Sequence, residues 1–91
     1  MMTWPANFDA PISFVRTELE LGLTFALIAA HASNEEKFKR NQRNTQRAYD
    51  TARRFMSLIE LSADQAAELS EMLAELEHRL RLLRSFVPQL T

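Results

Sequence analysis

Residues that form tight turns or carry thiols are scarce in this chain. Its 91 residues include no cysteine, one glycine and three prolines. Without cysteine the chain can form neither disulfides nor thiolate metal sites, and a cytoplasmic location is compatible with that lack. An all-β fold needs many tight turns, which so few glycines and prolines cannot supply. We therefore expect an all-α protein.

The sequence also has no hydrophobic run of the kind that spans membranes. Its most apolar stretch, residues 19–32, is interrupted by Glu20 and His31 and is shorter than the ~20 apolar residues of a membrane span. Residues 1–11 lack the basic region and the apolar core of a secretory signal. We therefore expect no membrane partner and a cytoplasmic protein.

Charge and hydrophobicity indicate one folded domain. The net charge is -1 and 46% of the residues are hydrophobic, which is typical of a small globular domain rather than of a disordered tail. We expect residues 1–91 to form a single helical domain.

Residues 10–32 have the pattern of a helix that is apolar on two sides. Asp9 is placed to cap its first turn, and Pro11 suits that turn because proline has no N–H to leave unpaired there. Successive helical residues are ~100° apart, which sorts the apolar residues into two neighbouring stripes. The first stripe is Leu19, Gly22, Leu23, Ala26, Ala29 and Ala30, and the second stripe is Phe14, Leu21, Phe25, Ile28 and Ala32. Because a surface helix needs only one stripe, we expect this helix to be central and covered on at least two sides.

Two capping boxes that begin with serine mark where the next helices start. Ser33 with Glu36 predicts a helix over residues 34–60, and Ser62 with Gln65 predicts another over residues 63–85. Almost no residues separate the first two helices, so they should form a tight antiparallel hairpin.

The second and third helices each have an apolar face, which predicts an antiparallel three-helix bundle. The inward face of the second helix is more polar in its first half, where Asn41 and Thr45 lie, and Phe55 lies beside that face. The third helix has apolar residues three and four apart, a seam typical of packed helices. This seam is Ala66, Leu69, Leu73, Leu76, Leu80, Leu83 and Val87.

The first two helices carry a short pattern in common with a known repeat. Leu21, Gly22 and Phe25 in the first helix, and Tyr49 and Ala52 in the second, resemble the Leu-Gly-x-x-Tyr and Phe-x-x-Ala positions of a tetratricopeptide helical hairpin. The resemblance covers this hairpin. It implies a close approach of the helices at Gly22 and a role as a peptide or protein adaptor.

The second helix holds seven of the eleven lysines and arginines. A helical wheel places Arg40, Arg43, Arg47 and Arg54 closest together, on the side opposite Tyr49. This basic face could contact an acidic partner or phosphates. It could equally be a solvated surface whose charges pair with the acids of the third helix.

Glu18 falls on the boundary between the two stripes of the first helix. A carboxylate at that position should be partly buried and in need of a hydrogen-bond donor. Tyr49, Arg53 or Arg54 could provide one, and we expect Glu18 and Tyr49 to form a buried polar pair.

The sequence shows no arrangement of catalytic residues and no complete metal site. Glu75 and His78 have the Glu-x-x-His spacing of di-iron bundles, but the apolar seam of the third helix directs both toward solvent. His31 reads as a polar residue near a helix end. We therefore expect no enzyme, no cofactor and no bound metal.

The best functional interpretation is a small non-catalytic helical module for protein interaction or structure, with a protein partner. A homodimer is expected, through the seam of the third helix or the second stripe of the first. The alternative is binding of nucleic acid or an anionic surface through the basic face of the second helix. It ranks lower because no nucleic-acid motif is present and no aromatic residue interleaves with the bases.

Overall fold

The computed structural model describes residues 10–85, which form three helices and contain no strand. Every pair of helices is in contact, so the predicted all-α bundle is confirmed. The predicted cap Asp9 and the last residue of the predicted seam, Val87, lie outside the described residues. The helices are α1 (Ala10–Ala30), α2 (Glu35–Met56) and α3 (Ala63–Ser85).

The turn between α1 and α2 uses a different cap from the predicted one. Asn34, and not Ser33, is the N-cap of α2, because its Oδ1 accepts a hydrogen bond from the backbone N–H of Lys37 at 2.7 Å. At the end of α1, the N–H of Ala32 donates to the carbonyl of Ala29. This hydrogen bond forms a tight turn that ends at Ala32, just after α1. Ser33 therefore lies in the connection between α1 and α2 and does not cap α2. Serine and asparagine cap helices equally well, and the geometry of the turn decides between them.

The connection between α2 and α3 is longer than expected. We predicted that α2 would continue to Glu60, but it ends at Met56. Ser57 closes it, because its Oγ donates to the carbonyl of Arg54 at 2.6 Å and thereby competes with a further helical turn. The predicted capping box of α3 is confirmed. The N–H of Gln65 donates to Ser62 Oγ at 3.1 Å, and the N–H of Ser62 donates to Gln65 Oε1 at 2.9 Å.

The core lies where the three helices meet. Val15 and Leu19 of α1 pack with Ala52 of α2 and with Leu69 and Leu76 of α3. A second cluster forms toward the hairpin turn. It consists of Ala26, Ala29, Phe38 and Leu83. The predicted seam of α3 is confirmed at its buried members, which are Leu69, Leu76, Leu80 and Leu83.

The helices approach one another closely at Gly22. A Cβ atom at this position would lie 2.6 Å from Leu76 Cδ2 and 3.1 Å from Ala48 Cβ. The first distance is shorter than any ordinary carbon contact, and Leu76 is fully buried. Gly22 therefore lets α1 meet α2 and α3 at one point, which is the close approach that we expected at this residue.

The polar side chains on the inward face of α2 are satisfied by their own helix. Thr45 Oγ1 donates to the carbonyl of Asn41 at 2.8 Å, and Asn41 Nδ2 donates to the carbonyl of Lys37 at 2.9 Å. Both residues are buried. Across residues 10–85 no buried side-chain nitrogen or oxygen lacks a hydrogen-bond partner. Two polar residues can therefore occupy this face without a partner from another helix.

We predict that Gly22→Ala lowers the free energy of unfolding by about 1 kcal/mol. Overpacking costs ~1–3 kcal/mol, which exceeds the ~1 kcal/mol that alanine gains over glycine in a helix. Urea unfolding followed by circular dichroism measures the change.

The matched control is a double-mutant cycle with Leu76→Ala, which removes the side chain that a Cβ at position 22 would meet. Leu76→Ala alone should cost ~2–5 kcal/mol, and the double variant should lose less than the sum of the two single variants by ~1 kcal/mol. Strict additivity, or a stabilised Gly22→Ala protein, would contradict the close approach.

Candidate functional site

The second stripe of α1 is exposed. Both α2 and α3 contact α1, but both pack on the first stripe. Phe14 is 41% exposed, Leu21 43% and Ile28 36%, and Phe25 is half-buried. Our expectation that neighbours would cover more of α1 is therefore wrong for this stripe, which none of the described residues covers.

One aromatic residue of α2 extends this apolar surface. Phe55 is 36% exposed, and its ring contacts that of Phe14 at a centroid distance of 4.9 Å and an interplanar angle of 63°. Such edge-to-face pairs are favourable for aromatic rings. We call the combined surface the open face. It consists of Phe14, Leu21, Phe25, Ile28 and Phe55.

A groove runs between α1 and α2 at the middle of the open face. It has a volume of about 320 Å³ and is lined by Glu18, Leu21 and Phe25 of α1 and by Asn44, Arg47, Ala48 and Thr51 of α2. Leu21 and Phe25 form its apolar wall, whereas Arg47 brings a positive charge to its rim. Because the lining residues extend over about two turns of each helix, the groove follows the direction of the helices.

The groove opens on the side of the hairpin away from α3. Arg16 binds Glu68 of α3, and Leu27 lines a second groove with Glu75 and Arg79 of α3. At ~100° per residue, Leu21 and Phe25 lie on the opposite edge of α1 from Arg16 and Leu27. The hairpin therefore has α3 on one side and the open face on the other.

The four arginines of the predicted basic face are all exposed on α2. Arg40, Arg47 and Arg54 are seven residues apart, and Arg43 lies beside them. In the part of the chain that the structure describes, the ion pairs use other residues. They are Arg16–Glu68, Lys39–Glu35, Arg79–Glu75 and Arg81–Glu77. No acid of α3 within residues 10–85 therefore pairs with these four arginines, and their exposure agrees with the solvated surface that we also considered.

The predicted pair of Glu18 and Tyr49 does not form. Glu18 is half-buried at the rim of the groove, where Arg47 also lies. Tyr49 instead packs against the core cluster that contains Leu19, and no hydrogen bond joins Glu18 to Tyr49 within residues 10–85. The reason is rotational. Ala48 lines the groove, and the next residue, Tyr49, is turned ~100° further, toward the core.

Glu75, His78 and His31 are the residues that we weighed as metal ligands. Glu75 and His78 both face solvent, as we predicted, and Glu75 accepts a hydrogen bond from Arg79 at 2.9 Å. His31 lies at the end of α1, where its Nδ1 is 3.0 Å from the carbonyl oxygen of Leu27. Among the described residues no group of three or more His, Cys, Asp or Glu side chains could hold a metal ion. None of the three described helices is long and apolar enough to cross a membrane.

Our sequence analysis did not assign Phe55, Thr51 and Asn44 to a surface. Phe55 was placed beside the inward face, yet it is exposed and extends the open face. Together with Ala48, these residues follow one another at intervals of four, three and four residues. That spacing defines the edge of α2 that faces α1 in an antiparallel hairpin, and it is the signal that could have identified them.

One ion pair holds α3 against α1. Arg16 Nε is 2.8 Å from Glu68 Oε1, and Arg16 Nη2 donates to Glu68 Oε2 at 3.3 Å. The hydrogen bond from Arg16, followed by the charge of its guanidinium, lowers the pKa of Glu68 below its ordinary value. In the same way Lys39 lowers the pKa of Glu35 at the start of α2.

Comparisons of this chain with protein-family models, with curated proteins and with solved structures find no match. The resemblance to a tetratricopeptide hairpin therefore stays a prediction. What the open face does is inferred below from its own geometry and charge.

We predict that Arg16→Gln raises the pKa of Glu68 toward its ordinary value. The folded-state pKa of Glu68 is lowered, so the pair stabilises the fold above the ordinary glutamate pKa of ~4.3, and this contribution is lost as the pH falls through the lower, folded-state value. Carboxyl-detected NMR titration of the wild-type and variant proteins measures the shift.

Glu35 is the internal control, because its pKa depends on Lys39 and should stay lowered in Arg16→Gln. If the pKa of Glu68 were the same in both proteins, the ion pair between α1 and α3 would be absent in solution.

Proposed function

We propose that this protein is a non-catalytic helical interaction module that binds a protein partner through the open face. The observation that carries the proposal is an apolar stripe of α1 that lies beside a groove, on the side of the hairpin that α3 leaves free. A cytoplasmic location fits this role and the cysteine-free sequence.

The open face differs from the ordinary scatter of exposed apolar residues. Leu82 is 50% exposed, but the residues one turn from it on α3 include His78, Arg79 and Ser85, which are polar. Isolated residues of this kind are common on soluble proteins. In the open face, Leu21, Phe25 and Ile28 follow one another at four- and three-residue intervals, and Phe14 lies seven residues before Leu21 and contacts Phe55. Clustered apolar surface of this kind is typical of interaction sites.

The energetic gain from covering the open face is substantial. Fully burying a large apolar side chain contributes ~1.5–3 kcal/mol, and the open face contains four such residues that are about 40% exposed. A helix laid along the groove would contact both α1 and α2, as α3 does on the other side of the hairpin. The hairpin therefore has the shape to accept a fourth helix.

Self-association is the second use that this surface supports. We expected a homodimer through the α3 seam or the second stripe of α1. The buried leucines of the seam pack inside the chain, so of these two surfaces the second stripe is the one left for a second copy. Two such copies would bring their arginine rows near one another, which opposes the contact at low salt.

Nucleic-acid binding is the alternative that the basic residues support. The four arginines are exposed and form no ion pair with the described residues, so they could contact phosphates. However, the largest exposed surface beside them is apolar, and phosphates would leave it uncovered. A protein partner would contact both the arginines and the apolar open face.

We predict that Leu21→Gln combined with Phe25→Gln abolishes partner binding, because it makes the wall of the groove polar. The measurement is affinity capture of the tagged protein from its native lysate after nuclease treatment, read by mass spectrometry. Wild-type protein should retain a discrete set of proteins that the variant loses.

Leu82→Gln is the matched control, since Leu82 is about as exposed as Leu21 but lies on α3. It should capture the same proteins as the wild type. Identical capture by all three proteins would contradict a role for the open face, and recovery that nuclease abolishes would favour the nucleic-acid alternative.

We also predict that any homodimer is weak at low salt and strengthens as salt is added. Salt screens the repulsion between the arginine rows, while burial of apolar surface remains favourable. Sedimentation equilibrium over a range of salt and protein concentrations tests this, with Leu21→Gln as the variant that should stay monomeric. A dimer that salt dissociates would show that charge pairs, and not the open face, hold the copies together.

A further inference from the structure

We infer that the segment that occupies the open face is an amphipathic helix of a partner protein with acidic residues spaced seven apart. This inference rests on the proposed function, and it specifies the chemistry of the partner. It follows from the position of the arginines relative to the open face.

Three of the arginines form a straight row along α2. Arg40, Arg47 and Arg54 are each seven residues apart, so they lie at intervals of ~10.5 Å and turn by only ~20° from one to the next. All three are exposed. The row is therefore about 21 Å long and runs parallel to the helix axis.

The row has the same length as the apolar stripe and lies beside it. Phe14 and Ile28 are also fourteen residues apart, which corresponds to ~21 Å of helix. At one end, Arg54 is next to Phe55, whose ring contacts Phe14. In the middle, Arg47 lines the groove with Leu21 and Phe25.

The alignment continues to the other end of the hairpin. Arg40 lies two residues after Phe38, which packs with Ala26 and Ala29 near the end of α1. One partner helix of about fourteen residues could therefore cover the apolar stripe and face all three arginines along its length.

Within residues 10–85 no acidic residue forms an ion pair with this row, although Glu36 and Asp50 lie four residues before Arg40 and Arg54. Glu18 lies at the rim of the groove, and Asp50 accepts a hydrogen bond from Gln46 Nε2 at 3.1 Å. Neither forms an ion pair with the row within the described span. Carboxylates match the guanidinium group in shape and charge, so the row selects an acidic partner.

Carboxylates on the partner would determine which of its residues lie opposite the arginines, and they would add less to its affinity. Exposed ion pairs contribute little each, whereas complementary charge directs encounter and rejects wrong partners. The apolar side of the partner helix would fill the groove, with its acids seven residues apart opposite the arginines. This is the helix-in-groove mode of recognition, with a charged edge added.

A second copy of this chain does not offer the required acids. Two pairs of acids on α3 lie seven apart. Glu68 and Glu75 are already paired with Arg16 and Arg79. Asp64 and Glu71 are in no ion pair of the described residues, but they supply acids for only two of the three arginines. The open face of a second copy would bring another arginine row with it. A partner of different sequence therefore suits the site better.

A single nucleic-acid strand would use the row but not the stripe. Bases stack on aromatic rings, yet Leu21 and Ile28, two of the residues in the stripe, have no aromatic face. Within the open face, the Phe14 and Phe55 rings contact each other edge to face. The apolar face of a helix fits this mixture of aliphatic and aromatic side chains better than a row of bases does.

A displayed library of helical peptides tests the inference directly. Each peptide has a fixed leucine face, and three positions seven residues apart are drawn from Glu, Lys, Gln and Ser. The library is selected on the wild-type protein and on the triple variant Arg40→Glu, Arg47→Glu and Arg54→Glu. We expect Glu to exceed Lys about tenfold on the wild type, from the summed effect of three exposed pairs, and Lys to exceed Glu on the variant.

Two further proteins serve as controls. Arg53→Glu changes charge on the edge of α2 that faces α3, because it lies seven residues after Gln46, which binds Arg84. It should select the same peptides as the wild type. Leu21→Gln with Phe25→Gln should enrich no peptide, and circular dichroism should show that every variant is folded.

The possible failures separate this inference from the proposed function. If no peptide were enriched on the wild type above the Leu21→Gln, Phe25→Gln protein, the proposed function itself would be wrong. If peptides were enriched without a preference for Glu, or with the same preference on the triple variant, the acidic character of the partner would be excluded. The proposed binding of a partner to the open face would stand. If a single-stranded oligonucleotide bound the wild type and the Leu21→Gln, Phe25→Gln protein equally and displaced the peptides, the row would be a phosphate site instead.

Discussion

The close contact at Gly22 is the constraint on which the arrangement of the helices depends. A missing side chain at one position lets Ala48 of α2 and Leu76 of α3 approach the same point of α1. The side of α1 used for this contact has small residues, including Ala26 and Ala29. Large side chains of α1 lie on both sides of this contact. Val15 and Leu19 pack in the core, whereas Phe14, Leu21 and Ile28 are exposed in the open face.

Periodicity predicted much of the fold, and local backbone geometry accounts for what it missed. The three helices and the seam of α3 follow from the spacing of apolar residues, whereas the close approach at Gly22 was implied by the tetratricopeptide resemblance. The cap at Asn34 could not be chosen over Ser33 from sequence, because both residues cap helices well and the choice depends on how α1 ends. The end of α2 could not be predicted from sequence either. The apolar pattern continues beyond Met56, whereas the helix is closed there by the hydrogen bond from Ser57 to Arg54.

The candidate site was predicted in its parts but not as a surface. The second stripe of α1 and the four arginines of α2 were both visible in the sequence. Whether a stripe is covered depends on how many helices are available to cover it, which a helical wheel of one element does not show. Their alignment depends on the register of the hairpin, which the Phe14–Phe55 contact fixes. Two residues forty-one positions apart define that register, so no local pattern could reveal it.

The short connection between α1 and α2 also bears on the order in which the protein forms. Contacts between helices that adjoin in sequence close small loops, and chains rich in such contacts fold quickly. The groove and the arginine row belong entirely to α1 and α2, which leave the ribosome before α3. All residues of the open face are therefore synthesised before α3, and they come together when α1 and α2 close into the hairpin.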